Sequence, residues 1–370
     1  MNKSVKDYRR YTLSLASVLF ACLLFFSACG TNISGQTSTA NAGSPTAIPS
    51  PTITLELQKQ GAAELQSFQQ WITLMQQYSG NVDTYQQQYT ADQQALNSAT
   101  SNATYQTVLK RLQGHVIAIK LPAMKTEATS LQQQLQQDST QWSQQHTYYD
   151  AYNQTTYNLG YEYGLSGISS WAQQQIDNSQ TLADYQQTIE NLQMWLYNFS
   201  AYKADFVDKT PYNQVHQTDT QLLRHVGYTS GKVIVISLAE EAMRVYQDGH
   251  LVNSFLVVTG MPQHPSLPGI WWVESRQTDI TFTSGKQPGQ EGYYPPTPIA
   301  FALQYHSGGY FIHQSWWRTE YGPNKQFPHI DVNGTPFAYE GSHGCVNMST
   351  SDVQWLYNFA STLTTKIVIY

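Results

Sequence analysis

The sequence predicts an α+β chain of several domains, an N-terminal α-helical bundle followed by a mostly β domain. Two observations carry this prediction. From about Thr54 to Lys203 apolar residues recur at spacings of three and four, the period of a helix with one buried face. From Lys232 the texture changes to β-branched runs. There "VYQDGHLVNSF" places two short strands around Asp248-Gly249, a strong hairpin signal.

The segments follow in chain order. Residues 1–28 open with Lys3, Lys6, Arg9 and Arg10 and continue with an apolar run from about Tyr11 to Ala28, the pattern of an export signal. "FSAC", ending at Cys29, resembles a bacterial lipobox, with Phe26 where Leu is usual. That resemblance implies cleavage before Cys29 and a lipid on its sulfur. A plain membrane anchor is the alternative, since ~18 apolar residues just span a bilayer. On either reading the rest of the chain lies outside the cytoplasm, at the outer face of the cytoplasmic membrane or in the wall. Residues 29–53 are rich in Ser, Thr, Ala and Pro and read as a flexible tether.

Residues 54–207 form the helical part, expected to act as a spacer. Leu65, Phe68, Ile72, Met75 and Val82 form one stripe. Met124, Ala128, Leu131 and Leu135 form a second, and Leu182, Tyr185, Ile189, Leu192, Leu196 and Phe199 a third. Gly80, Asn81, Pro122, Gly160, Gly164 and Gly167 are read as breaks, so a bundle is favoured over one long coiled coil. Trp71, Trp142 and Trp195 are expected in the core. Residues 208–231 read as a short helix and a linker. Within 232–370 the strands expected are "KVIVIS" and the hairpin after it, "GIWWVESR", "DITFTSG", "GYFIHQSWW" and "TKIVIY". A helix is expected over residues 350–361, with Asp352 near its start.

Charged residues make up 12% of the 370-residue chain and the formal net charge is −6, with no basic block of the kind that binds nucleic acid. Tyr occurs 26 times, and Gln is frequent in the first half. Such a surface suits contact by hydrogen bonding and stacking, as with sugar or peptidoglycan.

The chain has 3 cysteines. Cleavage removes Cys22 and lipidation uses Cys29, which leaves Cys345 in "GSHGCVNMS" without an intramolecular partner. It is a reactive thiol, an intermolecular bridge or a small core residue. Ser342, His343 and Gly344 beside it are poor core residues, which favours reactivity. A cysteine nucleophile needs its proton removed, by a nearby base or by a lowered pKa. Gly344 permits close approach of backbone N–H groups to an oxyanion, and the Cys345 N–H can join it. His343 is too near in sequence to be the base. His313, at the end of an expected strand, can face the cysteine loop. His264 and His306 read as exposed loop histidines.

"SHGCVN", Ser342–Asn347, resembles the signature of the L,D-transpeptidase (YkuD-like) catalytic domain. "HPSLPGIWWV" and "YFIHQSWWRTEYG" resemble that domain's other strands, with Leu267 where Thr is usual, and the resemblance covers residues 232–370. It implies Cys345 as nucleophile, His313 as general base, Gly344 and Cys345 as oxyanion donors, and a backbone carbonyl at Gln314 that orients the base. Ser342, His343 and Asn347 are implied to shape the loop by hydrogen bonding. Apart from the resemblance, Trp316, Trp317 and Tyr310 are read as lining a substrate groove, with plain core packing as the alternative. The reaction implied is formation of 3→3 cross-links between peptidoglycan stem peptides through a cysteine thioester, with no metal and no cofactor. A carboxypeptidase that uses water as acceptor, and an inactive wall-binding lipoprotein, are the alternatives. The sequence between His313 and Ser342 is longer than the family's usual spacing. It contains His329, a rival base.

Overall fold

The computed structural model describes residues 53–290, 292–334 and 341–370. The expected signal segment, the lipid site Cys29 and most of the tether lie outside them. The described residues form one compact unit.

Five helices and a hairpin build the N-terminal part. α1 (Leu55–Gln77) buries Phe68, Ile72 and Met75 on one face, as the stripe predicts. α2 (Asp83–Asn97) follows the expected break at Gly80 and Asn81. α3 (Asn102–Gln145) starts at a capping box in which Ser101 and Thr104 satisfy each other's backbone N–H groups. It runs 44 residues straight through Pro122, which the sequence marks as a break. Proline removes one helical hydrogen bond and costs ~3 kcal/mol in a helix interior. Burial of Ile119, Ala123, Met124 and Ala128 around it keeps the helix continuous.

A second departure follows. Residues 147–158, read as helical, form the antiparallel hairpin β1 (Thr147–Asp150) and β2 (Thr155–Asn158). The signal was present in "TYYD" and "TTYN", runs of β-formers around a polar turn. Asp150 closes that turn by accepting from the Tyr152 N–H at 2.9 Å. A 3-10 turn, Tyr161–Tyr163, leads to α4 (Ile168–Asn178) and α5 (Leu182–Val207), and α5 opens on a Thr181/Asp184 capping box. α6 (Gln217–His225) is the short helix expected between residues 208 and 231.

The remaining residues form the mostly β part. β3 (Lys232–Ser237), β4 (Ala242–Gln247), β5 (His250–Leu256), β6 (Gly269–Trp272) and β11 (Lys366–Ile369) make one sheet in the order β5-β4-β3-β11-β6. Asp248 and Gly249, both at positive φ, turn β4 into β5 as a tight hairpin requires. β7 (Ser275–Phe282), β8 (Thr297–His306), β9 (Tyr310–Gln314) and β10 (Val346–Met348) make the second sheet, in the order β10-β9-β8-β7. The ten-residue β8 is absent from the sequence reading, where Pro295, Pro296 and Pro298 masked it. α7 (Thr350–Phe359) packs Tyr357 on Phe301 of β8, with ring centroids 5.4 Å apart.

Two hydrophobic cores result. One gathers α1, α2 and the first half of α3, ending at Ala123. The other begins at Met124 and runs without interruption through α4, α5 and α6 into both sheets. Buried hydrogen bonds tie the helices to the strands. Trp195 Nε1 donates to the Pro268 carbonyl at 3.1 Å, and Asn198 Nδ2 donates to the Ile369 carbonyl at 3.2 Å. Arg244, fully buried, is neutralised by Asp219, whose carboxylate also accepts from Tyr246 and Tyr370 at 2.7 Å.

Candidate active site

The site forms where β10 lies parallel to β9. The register pairs Val346 with Ile312 and Asn347 with His313. Side chains alternate along a strand, so Asn347 shares a face with its partner His313, and Cys345 is the residue just before β10. The sequence motif and the expected base thus meet on adjacent strands.

A dense backbone network holds the loop bearing the thiol. The Ser342 N–H donates to Thr259 O at 2.9 Å, and the Ser342 hydroxyl donates to Cys345 O at 2.6 Å. Ser266 Oγ donates to Gly344 O at 2.9 Å, and Tyr305 OH reaches the same carbonyl at 3.3 Å. Gly344 has φ +105°, and a Cβ there would meet Tyr310 Cε1 at 2.6 Å. Glycine is therefore required at this position for conformation and for space. The Gly344 N–H donates to Ser342 Oγ at 3.0 Å. One of the two expected oxyanion amides is thus engaged inside the loop.

Cys345 is half-buried, and its Sγ lies 3.7 Å from the Gly309 carbonyl. Burial pushes the thiol up to about 11, opposed by a hydrogen bond from the Phe311 N–H. A thiolate held ready by a lowered pKa is not what the fold provides. The resting group is a neutral thiol.

His313 is 4% exposed. Its Nδ1 donates to the Gln314 carbonyl at 2.6 Å, the orienting contact expected at that position. Its Nε2 faces Asn347 Nδ2 at 3.1 Å. Burial holds the imidazole down to about 4, with the nearby charge of Arg318 acting in the same direction and the Gln314 carbonyl opposing it. His313 is therefore neutral at physiological pH, and its one free lone pair, on Nε2, faces the Asn347 amide, a contact that must open before Nε2 takes a proton.

The other expected residues separate. Asn347 contacts His313 directly, its Nδ2 3.1 Å from Nε2. His343 is exposed and is held by ring contacts, 5.0 Å from His264 and 5.4 Å from Tyr294, rather than by hydrogen bonds. His264 and His306 are half-buried rather than exposed; His306 packs against Tyr310, Trp171 and Trp271. Tyr310 lines the thiol loop. Trp316 is 57% exposed and donates its Nε1 to Pro298 O at 3.0 Å. Gln314 is buried, so its side chain is not offered to solvent. His329 is engaged within its own loop, its Nδ1 2.8 Å from Phe327 O and its Nε2 3.5 Å from Glu320.

Several contributors escaped the sequence reading. Phe282 lies 5.0 Å from the His313 ring, and Tyr294 packs on His343. Ser266 locks the thiol loop, and the only hint of it was its place in "HPSLPG". Arg318 donates to Asn347 Oδ1 at 2.9 Å.

Residues 231–369 match the family model of the L,D-transpeptidase catalytic domain, YkuD. Among curated proteins none matches. Solved structures similar to this chain include an L,D-transpeptidase C442S mutant from Enterococcus faecium (24% identity, TM-score 0.31, covering 39% of this chain and 51% of that one). An L,D-transpeptidase from Mycobacterium smegmatis is 19% identical (TM-score 0.31, 38% and 59% covered). L,D-transpeptidase 3 from Mycobacterium tuberculosis, in complex with a faropenem-derived adduct, is 18% identical (TM-score 0.30, 38% and 60% covered). The chain thus spans between half and six-tenths of the length of these proteins.

Proposed function

From a C-terminal YkuD L,D-transpeptidase catalytic domain, we propose that the protein forms 3→3 cross-links in peptidoglycan through a thioester on Cys345. The observation that carries this reading is the β9–β10 register. It pairs the strand that begins one residue after Cys345 with the strand that carries His313, whose Nδ1 proton is held by Gln314 O.

Sγ attacks the carbonyl between the third residue of a stem peptide and its terminal D-Ala while His313 Nε2 takes the thiol proton. Because the thiol is neutral at rest, proton removal accompanies attack, as general-base catalysis requires. The Cys345 N–H supports the oxyanion, with Gly344 holding the loop that presents it. Collapse of the tetrahedral intermediate expels D-Ala, which receives the proton from His313, and leaves the thioester. A side-chain amine of a second stem attacks that thioester, forms the new amide and regenerates the thiol. Trp316 and Tyr310 border the approach to the site. Water in place of the amine gives the carboxypeptidase reaction.

The test is incubation of the purified protein with a defined tetrapeptide stem, with products resolved by mass. Dimers with loss of D-Ala are expected. Release of D-Ala with no dimer identifies a carboxypeptidase, and neither product from folded protein contradicts the reading. We further propose that a lipid on Cys29 tethers the chain at the outer face of the membrane. Cys29→Ala should then release the protein to the soluble fraction. Unchanged membrane partition would count against the anchor.

A further inference from the structure

The loop after β9 carries Arg318, whose Nε donates to Asn347 Oδ1 at 2.9 Å. Asn347 is 1% exposed, and its backbone is fixed by paired bonds to Val258 at 2.8 and 3.0 Å. An amide has one accepting end and one donating end. With the oxygen held by the guanidinium, the NH2 group faces His313 Nε2 at 3.1 Å. A donor there requires Nε2 to be bare, and the ring proton then sits on Nδ1, where Gln314 O accepts it at 2.6 Å. This is the tautomer in which Nε2 can take a proton. If the amide turned, its oxygen would favour a proton on Nε2 and the base would be blocked.

The loop is gripped from outside the residues that match the family model. Phe327 is fully buried. It stacks on Tyr148 and Tyr157, with centroids 4.8 and 4.9 Å apart, and meets the edge of Tyr161 at 6.2 Å. Tyr148 and Tyr157 are direct cross-strand partners in the β1–β2 hairpin, so both rings project from one face. Tyr161 OH in turn donates to Gly260 O at 2.6 Å, and Gly260 bridges to Ser342 of the thiol loop.

We propose that Arg318 is a positioning residue that sets the tautomer of His313 through Asn347, and that the N-terminal hairpin anchors its loop by clamping Phe327. The proposal rests on His313 being the base, but its test reads the imidazole ring and needs no turnover.

The experiment is nitrogen NMR of the full chain labelled at histidine, with the His313 signals assigned by their loss in His313→Gln. The native protein is expected to show the Nδ1–H form at neutral pH. Arg318→Met should populate the Nε2–H form and raise the ring's titration midpoint by about one pH unit, since a positive charge within reach is lost and an acceptor gained. Arg318→Lys, which keeps a charged donor, should return most of the native signature. Phe327→Leu should shift the signals the same way but less. A folded Arg318→Met protein with the native tautomer and midpoint overturns the assignment to Arg318. Native signals in Phe327→Leu overturn the clamp. Should Arg318→Met not fold, Arg318→Gln carries the same comparison with a neutral side chain, and native signals there again overturn it.

Discussion

The two hydrophobic cores stand in different relations to the site. The first packs α1 and α2 on the front half of α3 around Phe68, Ile72 and Leu112 and contains no residue of the site. The second packs the rear half of α3, α4 and α5 into the same apolar mass as Val235, Ile312 and Val346, and the last two are the chain neighbours of His313 and Cys345. Composition changes near Lys232, but the cores divide inside α3, about one hundred residues earlier. A change in secondary structure type is therefore a poor guide to where packing ends. A helix that buries its apolar stripe against a sheet belongs to the sheet's core.

The largest expected effect leaves both cores intact. Cys345→Ala should abolish thioester formation and cross-linking while thermal melting stays native, which a stem-peptide assay and calorimetry would check. Retained turnover would detach the chemistry from the β9–β10 pairing. Next, His313→Ala should lower turnover by ~10²–10⁴-fold, the usual worth of a general base. His329→Ala should cost far less, because its loop engages that ring. Reversed costs would place the base in the long loop.

The cores themselves are compared by one substitution in each. Trp195 is 2% exposed and Phe68 is fully buried, and truncating either to Ala should cost ~3–5 kcal/mol of stability. Trp195→Ala should also slow acylation of Cys345, because Trp195 holds the Pro268 carbonyl two residues from Ser266. Phe68→Ala should leave that rate unchanged in the folded protein. Equal losses of rate would show that the first core also shapes the site.

The smallest expected effect is in the pH dependence. His313 titrates at about 4 in the fold against an ordinary 6.5. Between these values the unfolded chain binds the proton and the folded chain does not, so stability rises with pH across that window and falls as pH drops through it. The rate should follow a limb near pH 4 and stay flat through neutrality. A limb near 6.5 would mean that His313 is solvated in the working enzyme.

The parts of the site legible in the sequence were those written within a few residues. Ser342–Asn347 is contiguous, and His313 sat in an apolar run that only a strand explains. Helix stripes were legible for the same reason, since Phe68, Ile72 and Met75 repeat locally. Arg318, Ser266 and the Tyr148–Phe327–Tyr157 stack were not legible, because their partners lie far away in sequence and are fixed only by the packed sheets. Pro122 misled because burial on both sides of it outweighs the lost hydrogen bond. The raised thiol pKa was invisible because it depends on burial, not on neighbours in the chain.

The central claim is that Cys345 is an acylating nucleophile served by His313. Its most direct test is intact-protein mass spectrometry after incubation with a carbapenem, which a nucleophilic thiol opens to a covalent adduct. We expect one adduct, mapped by peptide digestion to Cys345, formed slowly in His313→Ala and absent in Cys345→Ala. Folded native protein that gains no mass, or an adduct that persists in Cys345→Ala, would contradict the account.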